Sequence, residues 1–479
     1  MKRSFLWVIL ASTLACSAAH ADAALTNIDQ ALKVAQARQE PVFVDFSATW
    51  CHSCHAMDDK VLNGAQWDTR QNHFVLVRSD ADSANGTAWM DKLHVPALPT
   101  YIVLNPDGTE RGRLTGEFTR AKFYPALDRL LSGADALPRL QADAVHGSTE
   151  AVTKVLRAYN DREDAQAGMH WYAGLPEATR KAVQGNPEAA TQLHVAEMHA
   201  DKSALIDRME AQMKTQMQQG KGKNKGKPTA DPEQMRLSQS CRTHAQQALA
   251  GTLNVDDRVD VMQTMLGWCS EDLSPVQKKA LSQAQLPAFR ALYDQEAPSG
   301  SSGLLRDATY TLAGIYGEIG DKANEQATYE RAIAIGRKAL DDGHGGFDVK
   351  RDQAMAEVLD EFMDGNGSPS EKNAAIALQK AMVDAYPDNP SYQANYGRTL
   401  LKQGQAAAAL PHLQLAADRA NGIGKLSNTH SLAKALVALH RRAEAEKLFG
   451  AALQTAEMQF PKQTRIGNLI REEYAGKAL

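Results

Sequence analysis

Two cysteines three positions apart, Cys51 and Cys54 in the string Trp50-Cys51-His52-Ser53-Cys54-His55, have the type and spacing to do chemistry. Three residues is close to one helical turn, so the two sulfurs can close a disulfide if the first stands at a helix N-terminus. There the unpaired backbone N–H groups and the helix dipole stabilise a thiolate, which lowers the pKa of Cys51 and makes it the attacking group. Cys54, one turn deeper, is placed to resolve the mixed disulfide that results. Cys51 is therefore expected to be the more exposed and more acidic thiol. The same residues also spell Cys-x-x-Cys-His, the attachment pattern for c-type haem, with His55 as axial ligand and both sulfurs spent on thioethers. Ligation of a metal by His52 and His55 is the weaker reading, and solvated histidines on a helix surface the blander one.

The flanking residues favour the dithiol over haem. Val42, Phe43 and Val44 are strand formers, and a short polar turn separates them from Cys51, which describes a buried strand delivering the cysteines to a helix start. That helix is expected to run to about Leu62 and to stop at Asn63-Gly64. Further strands are expected at Phe74–Val77 and Tyr101–Leu104, and helices at Thr87–Leu93 and Arg120–Leu131. Asn105-Pro106-Asp107-Gly108 is a turn. A sheet covered on both faces by helices follows, a three-layer α/β domain.

From about Leu25 to Ser132 the sequence resembles the thioredoxin superfamily, most of all the C-terminal periplasmic domain of membrane thiol reductases that relay electrons outward. Three landmarks in order carry the likeness: Asp45, the Cys51/Cys54 pair, and Leu98-Pro99-Thr100 heading the run TYIVLNPDGTERGRLTG. The resemblance implies that Asp45 carries protons to and from the second cysteine. It implies equally that Pro99 is a cis-proline feeding a β-hairpin, and that the client backbone docks against this loop with Trp50 and Leu98 beside it. No cofactor is implied beyond the dithiol itself.

The first 21 residues place Lys2 and Arg3 ahead of an apolar run, Phe5 to Leu14, and end on Ala19-His20-Ala21. This is the pattern of a secretory signal peptide cut after Ala21. Leu14-Ala15-Cys16 offers a competing lipoprotein site that would leave a lipid anchor. No later segment is long and apolar enough to span a bilayer, so an exported, periplasmic protein is expected. With 479 residues the chain needs more than one core, and its net charge of −4 provides no basic field for nucleic acid. Beyond the 51/54 pair, Cys241 and Cys269 are either bridged in an oxidising compartment or two separate buried thiols.

The organisation expected is a leader at residues 1–21, a thioredoxin-like domain at 22–134, a helical region at 135–300 and tetratricopeptide-like repeats at 301–479. Within the third of these, residues 219–231 (QGKGKNKGKPTAD) are expected to be a mobile linker with almost nothing to bury. The repeats rest on matching offsets. Leu312, Ala313, Tyr316, Gly320, Tyr329 and Ala332 recur as Tyr396, Gly397, Leu400, Gly404, Leu413 and Ala416. They recur again as Leu432, Ala433, Leu436, His440, Phe449 and Ala452, with an irregular pair expected around Met355–Pro387. The function expected is an exported thiol–disulfide oxidoreductase, acting as a reductase on protein thiol and disulfide clients and fed by an upstream redox partner, with a partner protein or peptide held by the repeats. Its rival is a scaffold protein that uses the same two modules for binding alone.

Overall fold

The computed structural model describes residues 24–218, 231–298, 301–341 and 348–459, together with Ile470 and Tyr474. The leader, Cys16 and residues 219–230 lie outside the described residues. Asp231, expected at the end of a linker, is instead the N-cap of helix Pro232–Ala250 in a capping box with Gln234.

The first unit runs α1 (Ile28–Arg38), β1 (Val42–Ser47), α2 (His52–Lys60), α3 (Ala65–Gln71), β2 (Val75–Asp80), α4 (Ala84–Leu93), β3 (Thr100–Leu104), β4 (Glu110–Thr115) and α5 (Arg120–Leu131). Its strands are ordered β2-β1-β3-β4, with β1 parallel to β2 and antiparallel to β3, and β3 and β4 form a hairpin. As a central strand covered on both faces, β1 is apolar except at Asp45 and its last residue, Ser47. Val42, Val44 and Phe46 pack with Ile28 and Ala31 of α1 and with Trp89 and Leu93 of α4. Phe43 points the other way, into a core with Met57, Trp67, Phe123 and Leu127. Side chains alternate along a strand, so Asp45 shares the face of Phe43, on the side of α2 and α5. The α1 and α3 helices had not been expected. The first is announced only by its Asn27 cap, and the second is seven residues anchored by buried Trp67.

From Leu137 to Gln459 the described elements are helical. The turn positions of the expected repeats take matching shapes: Gly320 has φ 86° and Gly404 φ 76°. At the equivalent turn His440 adopts φ 62°, a left-handed value a glycine would reach more cheaply. The pair near Met355–Pro387 is more regular than expected, two helices, Gln353–Asn366 and Pro369–Ala385, whose junction is closed by a capping box between Ser368 and Glu371. Cys241 and Cys269 are joined by a disulfide and fully buried, which answers the question their sequence left open. Among the described residues no helix is long and apolar enough to cross a membrane.

Candidate active site

Cys51 is the N-cap of α2 and is bonded to Cys54, with Cα atoms 5.2 Å apart. The Cys54 backbone N–H donates to the Cys51 sulfur at 3.2 Å, so a first-turn amide points at the atom that would carry thiolate charge. Around the sulfurs lie Ala48, Ala81, Met90 and Leu98. Pro99 is buried and its peptide bond with Leu98 is cis. Trp50 stands 56% exposed at the lip of the site and donates its indole N–H to Asp82 at 2.8 Å. Burial pushes Asp82 up to about 6 against that bond.

Asp45 is 2% exposed. Burial and the nearby Asp58 carboxylate push its pKa up to about 7, against the pull of Arg78. The Arg78 guanidinium sits 3.7 Å from Asp45 and 2.6 Å from Asp58, linking the buried acid to one at the surface. Tyr101, which faces Asp45 in the β1–β3 register, has a buried hydroxyl with no hydrogen-bond partner among the described residues. A carboxyl that titrates near neutrality can both hold and release a proton under mild conditions. Asp58, Arg78 and Tyr101 were not singled out from sequence. An arginine opposite Asp45 on the neighbouring strand was the available signal.

The cysteines are far less open than the sequence suggested: Cys51 is 5% and Cys54 3% exposed, so the expected difference between them is slight. The helical arm lies over α2. His55 Nδ1 and Glu357 Oε1 are 2.8 Å apart, and the Tyr392 hydroxyl donates to the same oxygen at 2.5 Å. Burial opposes charge on His55, yet Glu357, with Asp58 and Asp59, outweighs it and raises the imidazole above its ordinary value. Ser53 and Gly303 meet at Glu117, a residue from the loop after β4 whose pKa burial raises against hydrogen bonds from Ser301, Ser53 and the Gly303 backbone. On the rim, Thr49 and Ser391 hydroxyls are 3.1 Å apart, Lys60 donates to the Arg351 carbonyl at 3.0 Å, and Asn421 donates to Asp80 at 2.8 Å. His52 and His55 are therefore not solvated surface side chains. With the two sulfurs bonded to each other and His55 to Glu357, the Cys-x-x-Cys-His string takes the form of a dithiol site.

A hydrophobic strand, a cysteine pair capping the next helix and a cis-proline loop beside it define a thioredoxin-like domain, and residues 23–106 match the family model described as thioredoxin-like. The thiol:disulfide interchange protein TxlA of Synechococcus elongatus is 30% identical over 129 residues, 26% of this chain and 64% of that protein. The thiol:disulfide interchange protein DsbD of Cronobacter sakazakii is 33% identical over 113 residues, 23% of this chain and 19% of that protein. The chloroplastic thioredoxin-like protein HCF164 of Arabidopsis thaliana is 25% identical over 115 residues, 23% of this chain and 42% of that protein. The chain thus spans less than two thirds of each of these relatives, and the likeness covers about a quarter of its own length.

Proposed function

We propose that the chain is a thiol–disulfide oxidoreductase whose Cys51 attacks client disulfides, whose Cys54 resolves the mixed disulfide, and whose Asp45 exchanges protons with that second sulfur. The observation that carries the reading is the Cys51–Cys54 bond at the N-terminus of α2, where the first-turn amide of Cys54 meets the Cys51 sulfur. The cis bond before Pro99 and the half-buried Leu98 beside the sulfurs support a role for this loop in holding client backbone, with exposed Trp50 at the lip. Similarity to two thiol:disulfide interchange proteins supports protein thiol clients, and the resemblance of residues 25–132 to the periplasmic domain of membrane thiol reductases is what favours the reducing direction and an upstream redox partner. Export to the periplasm, soluble or anchored through Cys16, is supported by the leader and by two bridged cysteine pairs, which suit an oxidising compartment. The helical arm reads as tetratricopeptide-like repeats that present the redox domain to a partner protein or peptide.

The near-complete burial of both sulfurs favours a second reading, a binding protein with little turnover. Equilibration in glutathione redox buffers separates the two. A couple that exchanges readily and is poised toward the reducing end supports the reductase; one poised toward the oxidising end reverses the direction. A pair that does not exchange within hours supports the binding protein.

A further inference from the structure

Between the lip of the redox site and the helical arm lies a cleft of 620 Å³, within the roughly 300–1,000 Å³ typical of ligand sites. Thr49, Trp50 and His52 form one wall beside Cys51, and helices Gln353–Asn366, Pro390–Lys402 and Gly422–Ala438 contribute to the other. Six carboxylates line it: Asp80, Asp82, Glu357, Asp360, Glu361 and Asp364. The lining cations are Arg398, Lys402 and Arg419; Lys402 is engaged by Asp364 at 3.4 Å and Arg419 by Asp388, outside the lining, at 3.0 Å, while Arg306, also outside the lining, holds Glu361 at 2.8 and 3.1 Å, so the carboxylates remain in excess after these pairings. His52 does not redress the balance, because burial and then Arg306 hold its pKa below the ordinary value.

Two residues of the cleft wall also carry buried acceptors without donors among the described residues. Gln379 is 3% exposed and spends its Nε2 on both oxygens of Asp360, at 2.9 and 3.2 Å. Its Oε1 has no hydrogen-bond partner among the described residues. The same is true of Glu357 Oε2, although Oε1 of that residue serves His55 and Tyr392. Burial, with Asp364, Glu357 and Glu361 adding to it, pushes Asp360 up to about 7 against the Gln379 bond. Crowded carboxylates at the wall, backed by buried acceptors that lack donors, favour one kind of group, a cation with several N–H donors. An arginine or lysine side chain supplies this on a stem long enough to enter from the lip.

We propose that this cleft docks the polypeptide client of the redox reaction and selects a segment that carries an arginine or lysine side chain next to the disulfide. The proposal rests on the thiol–disulfide reading above. It makes the arm a specificity element for the nearby dithiol, since Trp50 and His52 border both the cleft and Cys51.

The test uses the full chain and two fluorescein-labelled nonapeptides of Gly, Ser and Ala, with serine at the position of the reactive cysteine and either two arginines or two glutamines flanking it. Fluorescence anisotropy is expected to show the arginine peptide binding about tenfold more tightly or better, as charge-assisted hydrogen bonds imply. The preference should collapse to about threefold or less in Asp360→Asn/Asp364→Asn, with Asp360→Asn alone as the second variant and thermal unfolding as the check on folding. Equal binding of the two peptides, or a preference that survives the substitutions, overturns the proposal. Turnover of cysteine-containing, disulfide-linked versions keeps the two readings apart. Binding without turnover counts against the oxidoreductase, whereas turnover without preference counts against the cleft.

Discussion

Replacing Glu357 by glutamine keeps the shape of the residue that ties the helical arm to the redox helix and removes its charge. In the folded chain one oxygen of Glu357 meets both His55, at 2.8 Å, and the Tyr392 hydroxyl, at 2.5 Å. The two acidic and basic side chains are only 13% and 14% exposed, so the contact is poorly screened. Hydrogen bonds to a charged acceptor contribute about 1.5–3 kcal/mol and neutral ones about 0.5–1.5. Loss of the charge at the one bond that crosses to α2 should therefore weaken arm docking by about 1–2 kcal/mol, or about 5- to 30-fold in the open-to-closed ratio. Opening frees α2, whose N-cap is Cys51 and whose first turn holds Cys54, so the assay is alkylation of the reduced chain by iodoacetamide, read by mass spectrometry on the Cys51 peptide. The ratio of variant to parent at one pH cancels the thiolate chemistry common to both. His55 titrates above its ordinary 6.5 in the closed state. Its contribution to closure is therefore complete below pH 6.5 and is lost as pH rises through the raised value. The ratio should be largest near pH 6 and shrink on the alkaline side, because His55–Glu357 is the member of this contact that crosses from the arm to α2. A ratio of one at pH 6, or one that grows with pH, refutes the arm as the cover of α2.

Asp45→Asn should stabilise the redox domain above neutrality, because it removes a buried carboxyl raised from 3.8 to about 7. The parent loses stability as pH rises between those values, on the order of 4 kcal/mol in full, and the variant does not. Hydrogen exchange of β1 amides should show the two alike at pH 4 and the variant better protected at pH 8. The same substitution should slow disulfide exchange, and an unchanged rate across the pH range would demote Asp45 to a structural group. Cys241→Ser/Cys269→Ser opens a bridge between residues 28 apart and should lower the stability of the helical region by about 3–4 kcal/mol, read as a fall in its unfolding midpoint with the 51/54 couple still able to exchange.

The landmarks of the redox domain were legible because each is local. Val42–Phe46, the Cys51/Cys54 spacing, Leu98-Pro99 and the Asn105–Gly108 turn each declare themselves within a few residues, and Arg120–Leu131 was bounded correctly by its apolar stripe. The unexpected α1 and α3 are short helices whose identity comes from packing against the sheet rather than from strong periodicity. The cover over α2 was not legible at all. Glu357 and Tyr392 are ordinary residues on helices some 300 positions from His55, and only the folded arm brings them to it. For the same reason His52 and His55 looked like solvated side chains, and Cys51 looked open. His440 shows the converse: it departs from the turn glycine of the other units, yet the backbone there keeps the left-handed shape.

The central claim is that Cys51 performs thiol–disulfide exchange with proteins and Cys54 releases them. It is tested most directly by incubating the reduced full-length Cys54→Ser chain with insulin and mapping the disulfide-linked products by mass spectrometry. An insulin chain bonded to Cys51 is expected, together with its absence from the Cys51→Ser chain under the same conditions, since Cys51 caps α2 and its sulfur accepts the Cys54 amide, whereas Cys54 lies within the first turn. No adduct on either variant, or an adduct that forms on Cys54 as readily as on Cys51, contradicts the account.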